Sequence, residues 1–151
     1  MEEEFIHNAR EELKRADHLI YVSLKYTRTV DIIKSVIERL IAAFDFIIDG
    51  LLENAKRRKK ISQIPTAAVV KCDVLKRIYA DKPEMIDYMN FYILLRKISR
   101  ANFTRAREYR RHVTMTAIVD ERAIEITIDI ITEYYKRASM FLEYVQENLM
   151  N

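Results

Sequence analysis

This 151-residue sequence contains only one glycine and two prolines, the two residue types that most often interrupt helices and strands. A many-stranded sheet needs frequent glycine, asparagine or proline at its turns, so this scarcity argues against such a fold. Long helices joined by short connections need few turn residues. Because half of the residues are apolar, a chain of this length can bury one sizeable core. We therefore expect a single helical domain that covers residues 1–151.

Apolar residues recur at spacings of three and four through most of the chain, which places them on one face of a helix. Helices that must bury such faces against one another form bundles. The predicted fold class is therefore all-α, an up-and-down bundle of four to five helices. The segments with this spacing are 2–26, 33–55, 67–78, 85–98 and 124–149.

Three residues are predicted to cap these helices. Thr29 precedes the second segment, where its hydroxyl can accept a hydrogen bond from the first helical turn. In "DKPE", Asp81 is the predicted cap of the fourth helix, because Pro83 suits the first turn. Asp120 is the predicted cap of the last helix.

The stretch before the last helix has two interpretations. "IEITIDI" fits the helical spacing that starts at Ile124, but it also alternates with period two. "HVTMTAIV" just before it is rich in β-branched residues. A short hairpin near 113–128, turning at "DER", is therefore the alternative to a longer helix. Residues 99–119 form the one long irregular stretch, and such stretches in compact domains tend to be functional.

The net charge of +3 conceals two basic concentrations, "KRRKK" at 56–60 and six arginines from Arg96 to Arg111. Such patches attract a polyanion even when the total charge is small. Each Lys or Arg that contacts a phosphate releases counterions and adds salt-dependent affinity. For "KRRKK" an alternative is equally good, because cations also complement the negative pole at a helix C-terminus. The residues predicted to bind RNA phosphates are Lys56, Arg57, Arg58, Arg105, Arg110 and Arg111.

Arg107 and His112 enclose four residues, "EYRR", within the irregular stretch. An imidazole can remove a proton from an RNA 2′-hydroxyl or protonate the leaving oxygen, and a guanidinium can stabilise charge that develops on the phosphate. This chemistry needs no metal. Arg107 and His112 are therefore the candidate catalytic residues, although such a pair also arises by chance in a basic stretch.

No cofactor or metal site is expected. One glycine cannot make a phosphate-binding loop, and no His-x-x-x-His pattern is present. His7 and His18 are expected to be exposed. Acids that recur every four residues could hold a cation, but pairing with basic side chains is the favoured interpretation. These acids are Asp45, Asp49 and Glu53 in one stripe and Glu125, Asp129 and Glu133 in another.

The expected location is the cytoplasm. A single cysteine, Cys72, excludes an internal disulfide and suits a reducing compartment. Cys72 itself is expected to be a small buried apolar residue. No apolar run is long enough to span a bilayer, and the acidic start "MEEEF" is not a signal peptide.

Four segments together carry a resemblance to a known family. They are "NAREELKRADHLI", "IERLIAAFDFIIDGLLENA", "IPTAAVVKCDVLKRIY" and "FYILLRKISRANF". They resemble the opening helix, the second helix, the Pro-led third helix and an arginine-containing segment of the HEPN superfamily. That superfamily consists of small all-helical domains, common in prokaryotes and often found beside a minimal nucleotidyltransferase.

HEPN nucleases share an arginine, four to six residues and then a histidine, placed across a homodimer interface to cut RNA. Arg107 and His112 fit that spacing, as do Arg105 and His112. The resemblance implies a homodimeric, toxin-type endoribonuclease in which His112 is the general acid/base and Arg107 the phosphate clamp. Arg105 and Arg111 would then position the RNA. The sequence departs from the family at Glu108, where a small polar residue is usual, and an acid beside a phosphate opposes catalysis.

A second function remains open, because many HEPN relatives are inactive. The chain would then be a non-catalytic, dimeric interaction and RNA-binding module. Tyr134, Tyr135 and Tyr144 of the last helix would pack against a partner protein, such as a nucleotidyltransferase. The sequence also has Asn102 and Phe103 where the family more often has Asp and Tyr. A nucleotide-binding bundle is a third hypothesis that no sequence feature requires.

Overall fold

The structure is a computed structural model that describes residues 3–150. This part of the chain is mostly helical and contains five helices and one three-stranded antiparallel sheet. The first helix includes a π-helical turn at Leu19–Ser23. The elements are α1 (Glu4–His18, continued through Leu19–Ser23 to Leu24–Tyr26), α2 (Val30–Arg57), α3 (Ala68–Ile78), α4 (Pro83–Arg100), β1 (Phe103–Ala106), β2 (Thr114–Val119), β3 (Arg122–Ile126) and α5 (Ile128–Asn148).

Helix α2 is the centre of the fold, because it contacts each of the other four helices. Its 28 residues make it about 42 Å long. A buried acid joins it to α1: Glu12 is only 8% exposed. The carboxylate of Glu12 lies 2.8 Å from Arg39 of α2 and 3.0 Å from Arg15 of α1. Such pairing is what allows a charged group to be buried.

Close packing between α1 and α2 explains the position of the single glycine. Gly50 is buried in α2, and a Cβ at this position would overlap the ring of Phe5. Glycine inside a helix costs about 1 kcal/mol relative to alanine. Its missing side chain allows the Phe5 ring to lie directly on the backbone of α2.

Aromatic rings fill the middle of the core. Phe44 of α2 is fully buried and stacks on Phe141 of α5, with ring centroids 4.7 Å apart. It also meets Phe91 and Tyr92 of α4 at centroid distances of 5.8 and 5.6 Å. One residue of α2 therefore joins two other helices in the core.

The sheet makes the fold mostly helical instead of all-α. It extends from the stretch predicted to be irregular, 99–119, into the predicted start of the last helix. β2 is its central strand, and β1 and β3 pair with it on either side. Met115 and Ala117 of β2 are fully buried, and β2 contacts α2 and α4. On the opposite face, Ile118 is half exposed. Asp120 and Glu121 form the turn to β3 with φ angles of 50° and 67°, which is the left-handed geometry of a type I′ turn.

The hairpin near 113–128 is confirmed, and the start of the last helix is corrected. Residues up to Ile126 pair with β2, so α5 begins at Ile128 instead of Ile124. Its cap is Thr127, whose hydroxyl accepts a hydrogen bond from the backbone of Ile130 at 3.2 Å. The prediction that Asp120 caps this helix was wrong, because Asp120 belongs to the turn of the hairpin.

Of the two other predicted caps, one is confirmed. The hydroxyl of Thr29 accepts a hydrogen bond from the backbone N–H of Ile32 at 3.4 Å. The prediction for Asp81 was wrong, because Lys82 is the N-cap residue of α4 and makes no side-chain capping bond. Pro83 does occupy the first turn of α4, as its fixed φ favours.

The burial of Cys72 and the length and hydropathy of the helices can be compared with what the sequence predicts. Cys72 is buried at 1% exposure, and this burial raises the pKa of its thiol to about 11. Cys72 is therefore a protonated core residue at neutral pH. Between residues 3 and 150, no helix is both long enough and apolar enough to cross a membrane.

Candidate functional site

A loop of residues 107–113, here called the arginine loop, joins β1 to β2. Arg107 and Tyr109 both adopt the left-handed conformation, with φ angles of 55° and 65°. The backbone N–H of Arg110 donates to the carbonyl of Arg107 at 3.3 Å, and that of Val113 donates to the carbonyl of Arg110 at 3.1 Å. The loop is therefore a succession of tight turns with a defined backbone.

Two hydrogen bonds fasten the arginine loop to the N-terminus of α2. The backbone N–H of Tyr109 donates to the carbonyl of Arg28 at 2.6 Å. The carboxylate of Glu108 accepts from the backbone N–H of Val30 at 3.1 Å. A carboxylate at this position satisfies an unpaired helix N–H and interacts favourably with the positive end of the helix dipole. Glu108 is consequently occupied inside the fold, with its side chain only 27% exposed.

Arg105 forms a further anchor for the same loop. Its guanidinium lies 2.8 Å from Asp31 in the first turn of α2 and 3.8 Å from Glu108. It also lies over the ring of Phe103, 5.3 Å from the centroid. Arg105 was predicted to bind phosphate, and in this structure its charge is already paired with two acids.

The basic side chains of the arginine loop have no protein partners among residues 3–150. The side chains of Arg107, Arg110, Arg111 and His112 are exposed. Within residues 3–150 none of them makes a hydrogen bond or ion pair to another protein group. The candidate catalytic residues, Arg107 and His112, therefore share one exposed loop without being bonded to each other.

The basic run "KRRKK", residues 56–60 and here called the helix-end cluster, terminates α2. Lys59 is left-handed with φ 59°. Its N–H donates to the carbonyl of Lys56 at 3.0 Å, and the N–H of Lys60 donates to that of Ala55 at 2.9 Å. These are the two bonds of a Schellman motif, the common way to end a helix. Arg57 lies near the acid of Glu3 at 4.0 Å.

The structure separates the two basic runs. The arginine loop lies at the N-terminus of α2 and the helix-end cluster at its C-terminus. The length of α2 places them about 40 Å apart. Arg105, Arg107, Arg110, Arg111 and His112 are thus brought together, whereas Lys56, Arg57 and Arg58 belong to another surface.

Sequence reasoning did not select the two most exposed large hydrophobic side chains between residues 3 and 150. Tyr26, at the end of α1, is 79% exposed, and Tyr109, in the arginine loop, is 77% exposed. A signal was present, because each stands between basic residues, in "LKYTR" and "REYRR". Aromatic side chains interleaved with cations are a common pattern in proteins that bind nucleic acids.

The carboxylate stripes form no metal site. No group of three or more His, Cys, Asp or Glu residues among residues 3–150 could hold a metal ion. Asp49 pairs with Lys71 at 2.7 Å. Asp45 accepts a hydrogen bond from the hydroxyl of Tyr92, and partial burial raises the pKa of the Asp45 carboxyl above its ordinary value. The second stripe is interrupted, because Glu125 lies on β3 and not on α5.

The tyrosines of α5 pack within their own chain. The ring of Tyr134 meets Phe91 at a centroid distance of 5.4 Å, and Tyr144 meets Tyr88 at 5.5 Å. The hydroxyl of Tyr135 donates to Asp17 of α1 at 3.1 Å. These three rings are therefore half-buried intramolecular contacts.

Comparison with known proteins identifies no relative: no family model, no curated protein and no solved structure matches this chain. The function must therefore be inferred from the site itself.

Proposed function

We propose that this protein binds RNA through the arginine loop. The observation that carries the proposal is the set of three exposed guanidiniums, those of Arg107, Arg110 and Arg111, without protein partners among residues 3–150. The acid of the same loop, Glu108, is bonded to α2 and paired with Arg105. A guanidinium that lacks an internal carboxylate presents its fork of donors to phosphate oxygens.

The stability of helix α2 does not explain why three arginines that are unpaired within residues 3–150 lie beside its N-terminus. The N-terminal pole of a helix is positive and favours anions, so arginines beside it gain nothing from the dipole. Two carboxylates, those of Glu108 and Asp31, compensate the helix pole and Arg105, and they leave three arginines uncompensated. A polyanionic ligand supplies the missing negative charge.

The test compares two variants of equal charge change. One replaces the three loop arginines by glutamine (Arg107→Gln, Arg110→Gln and Arg111→Gln together), and the control replaces three lysines of the helix-end cluster (Lys56→Gln, Lys59→Gln and Lys60→Gln together). Affinity for a fluorescent single-stranded RNA is measured by anisotropy over a range of salt concentrations.

We expect the loop variant to lose at least about tenfold in affinity, because three charge-assisted contacts are removed. The slope of log K against log[salt] should become shallower by about 2, since each phosphate contact on a single strand contributes about 0.7. The control variant should stay within about twofold. Equal losses in the two variants would mean that charge alone, and not this loop, attracts RNA.

A second candidate function, metal-independent cleavage of the bound RNA, is favoured by the placement of His112 in the same loop as Arg107. In this reaction the His112 imidazole removes the 2′-hydroxyl proton, and the 2′-oxygen forms a bond to phosphorus while the bond from phosphorus to the 5′-oxygen breaks. The imidazolium returns its proton to the leaving 5′-oxygen, and the Arg107 guanidinium stabilises the charge on the phosphorane. The internal role of Glu108 removes the acid that would oppose such a site. The HEPN resemblance adds a homodimer, which would bring two such loops into one assembly.

Cleavage is tested on denaturing gels in excess EDTA, with the wild-type protein and His112→Ala purified in parallel. We expect the wild type to produce 2′,3′-cyclic phosphate ends and the variant to bind RNA normally without cutting it. Intact RNA with the wild type would reject cleavage and leave RNA binding standing. The partner-protein alternative is less well supported, because the α5 tyrosines already pack within the chain.

A further inference from the structure

We infer that Tyr26 and Tyr109 stack on unpaired RNA bases, so that the surface around the arginine loop takes single strands in preference to duplexes. This inference rests on the proposed RNA binding and adds the substrate class. These two tyrosines are the most exposed of the large apolar side chains within residues 3–150, at 79% and 77%. A tyrosine ring is ordinarily at least partly buried in a folded domain.

The fold brings these two residues together although 83 positions separate them in the sequence. The backbone N–H of Tyr109 donates to the carbonyl of Arg28 at 2.6 Å. Arg28 is two residues after Tyr26, and consecutive Cα atoms are about 3.8 Å apart, so the Cα atoms of Tyr26 and Arg28 are at most about 8 Å apart. The two exposed rings therefore belong to chain segments that lie next to each other.

Both tyrosines stand among cations. Lys25 and Arg28 flank Tyr26, and Arg107 and Arg110 flank Tyr109. The nearby acids are engaged elsewhere, because Asp31 and Glu108 both pair with Arg105. The surface thus combines aromatic faces, which bases can stack on, with guanidiniums, which hold the intervening phosphates.

This combination selects for single strands. In a duplex each base is already stacked and paired, and its face is not accessible to a side chain on the protein surface. An unpaired base can leave its neighbours and lie on a tyrosine ring, and every base has such a face. The expected preference is therefore for unpaired RNA with little dependence on its sequence.

The experiment replaces both tyrosines by leucine (Tyr26→Leu with Tyr109→Leu), and in a second variant both by phenylalanine. Tyr144→Leu, a half-buried tyrosine on α5, serves as the matched control. Anisotropy is measured with a labelled single-stranded RNA, with its blunt duplex and with an abasic strand of the same length and charge. Sedimentation of each protein at the assay concentration records its oligomeric state.

For the single strand we expect the leucine variant to lose at least about tenfold in affinity, the amount that one stacked base contributes. Its affinity for the duplex and for the abasic strand should stay within about twofold of wild type. The phenylalanine variant should retain binding, because stacking needs the ring and not the hydroxyl. Tyr144→Leu should bind like wild type.

Three results would overturn the inference. Equal losses on all three ligands would assign the tyrosines to the structure of the loop, and unchanged binding of the single strand would remove them from the site. A wild-type dimer that dissociates in the leucine variant would assign Tyr26 and Tyr109 to an interface between two copies of the chain. Failure of RNA binding itself is distinguished by the loop-arginine variant, which should lose affinity on all three ligands.

Discussion

The two basic segments of this protein lie at opposite ends of one helix, and they differ in what compensates their charge. The helix-end cluster follows the C-terminus of α2, where cations complement the negative pole and the backbone bonds of Lys59 and Lys60 terminate the helix. The arginine loop lies at the N-terminus, where the pole is positive and a carboxylate, that of Glu108, is needed to satisfy it. The fold explains the positive charge of the helix-end cluster, but it does not explain the positive charge of the arginine loop.

This difference shows that the position of a basic run in the fold says more about its role than its number of charges does. Both runs carry several cations within a few residues, and a count does not distinguish them. Their positions relative to the helix dipole and to local acids do. Three predictions follow from the comparison, each aimed at one end of α2 or at both.

The largest effect is expected from Gly50→Ala, near the end of α2 that carries the helix-end cluster. The added Cβ would overlap the ring of Phe5, so the ring must move and lose its packing. Overpacking of this kind costs about 1–3 kcal/mol and should exceed the roughly 1 kcal/mol gained in helix propensity. Urea denaturation should show a net loss of up to about 2 kcal/mol in the free energy of unfolding, with RNA affinity unchanged.

The control for this prediction removes the ring. In a Phe5→Ala background the same Gly50→Ala change should be neutral or stabilising, because only helix propensity remains. A Gly50→Ala protein that is more stable than wild type would show that the Phe5 contact is not a tight one.

The next effect is expected at the other end of α2, from Glu108→Ala. The variant leaves the backbone N–H of Val30 without its acceptor and leaves Arg105 with one acid partner. Loss of a capping acceptor costs about 1 kcal/mol. Thermal or urea unfolding should detect that loss, whereas Glu147→Ala, a change of an exposed helical acid, should have almost no effect.

The RNA affinity of the Glu108→Ala variant distinguishes two roles for this carboxylate. If Glu108 only anchors the loop, affinity should fall modestly, because the arginines are held less firmly. If its carboxylate faced the ligand, its removal would increase affinity by relieving repulsion. An increase would therefore contradict the internal role assigned to Glu108.

The helices could be predicted from the sequence because each carries a long apolar stripe. Thr29 could be predicted as a cap because Thr before an apolar stripe is a local signal. The sheet was harder to predict, since "IEITIDI" satisfies both periods and β1 has only four residues. Its turn is made by Asp120 and Glu121 in left-handed conformations, with no glycine to mark it.

The candidate site was predicted in part. The sequence already groups Arg107, Arg110, Arg111 and His112, because they lie within six positions of one another. The role of Glu108 depends on Val30, 78 residues away, and the segment after Tyr26 is joined to the loop by the hydrogen bond between Tyr109 and Arg28. Contacts of this kind follow from tertiary packing, which no local pattern specifies. The separation of the two basic runs likewise required the uninterrupted length of α2.

The smallest effect compares the same substitution at both ends of the helix. Lys59 and Tyr109 are exposed and left-handed, with φ angles of 59° and 65°, and this conformation is unfavourable for residues with a Cβ. Lys59→Gly and Tyr109→Gly should each relieve that strain and raise the free energy of unfolding by about 0.5–1 kcal/mol. Lys56→Gly, inside the helix, should lower it by about the same amount.

The two stabilised variants should then differ in function. Lys59→Gly should bind single-stranded RNA like wild type, because the helix-end cluster serves to terminate α2. Tyr109→Gly should bind it more weakly, because glycine removes the ring that we propose stacks on a base. If both variants gained stability and neither lost affinity, the strain at Tyr109 would have no functional reason, and the two ends of α2 would be alike in being purely structural.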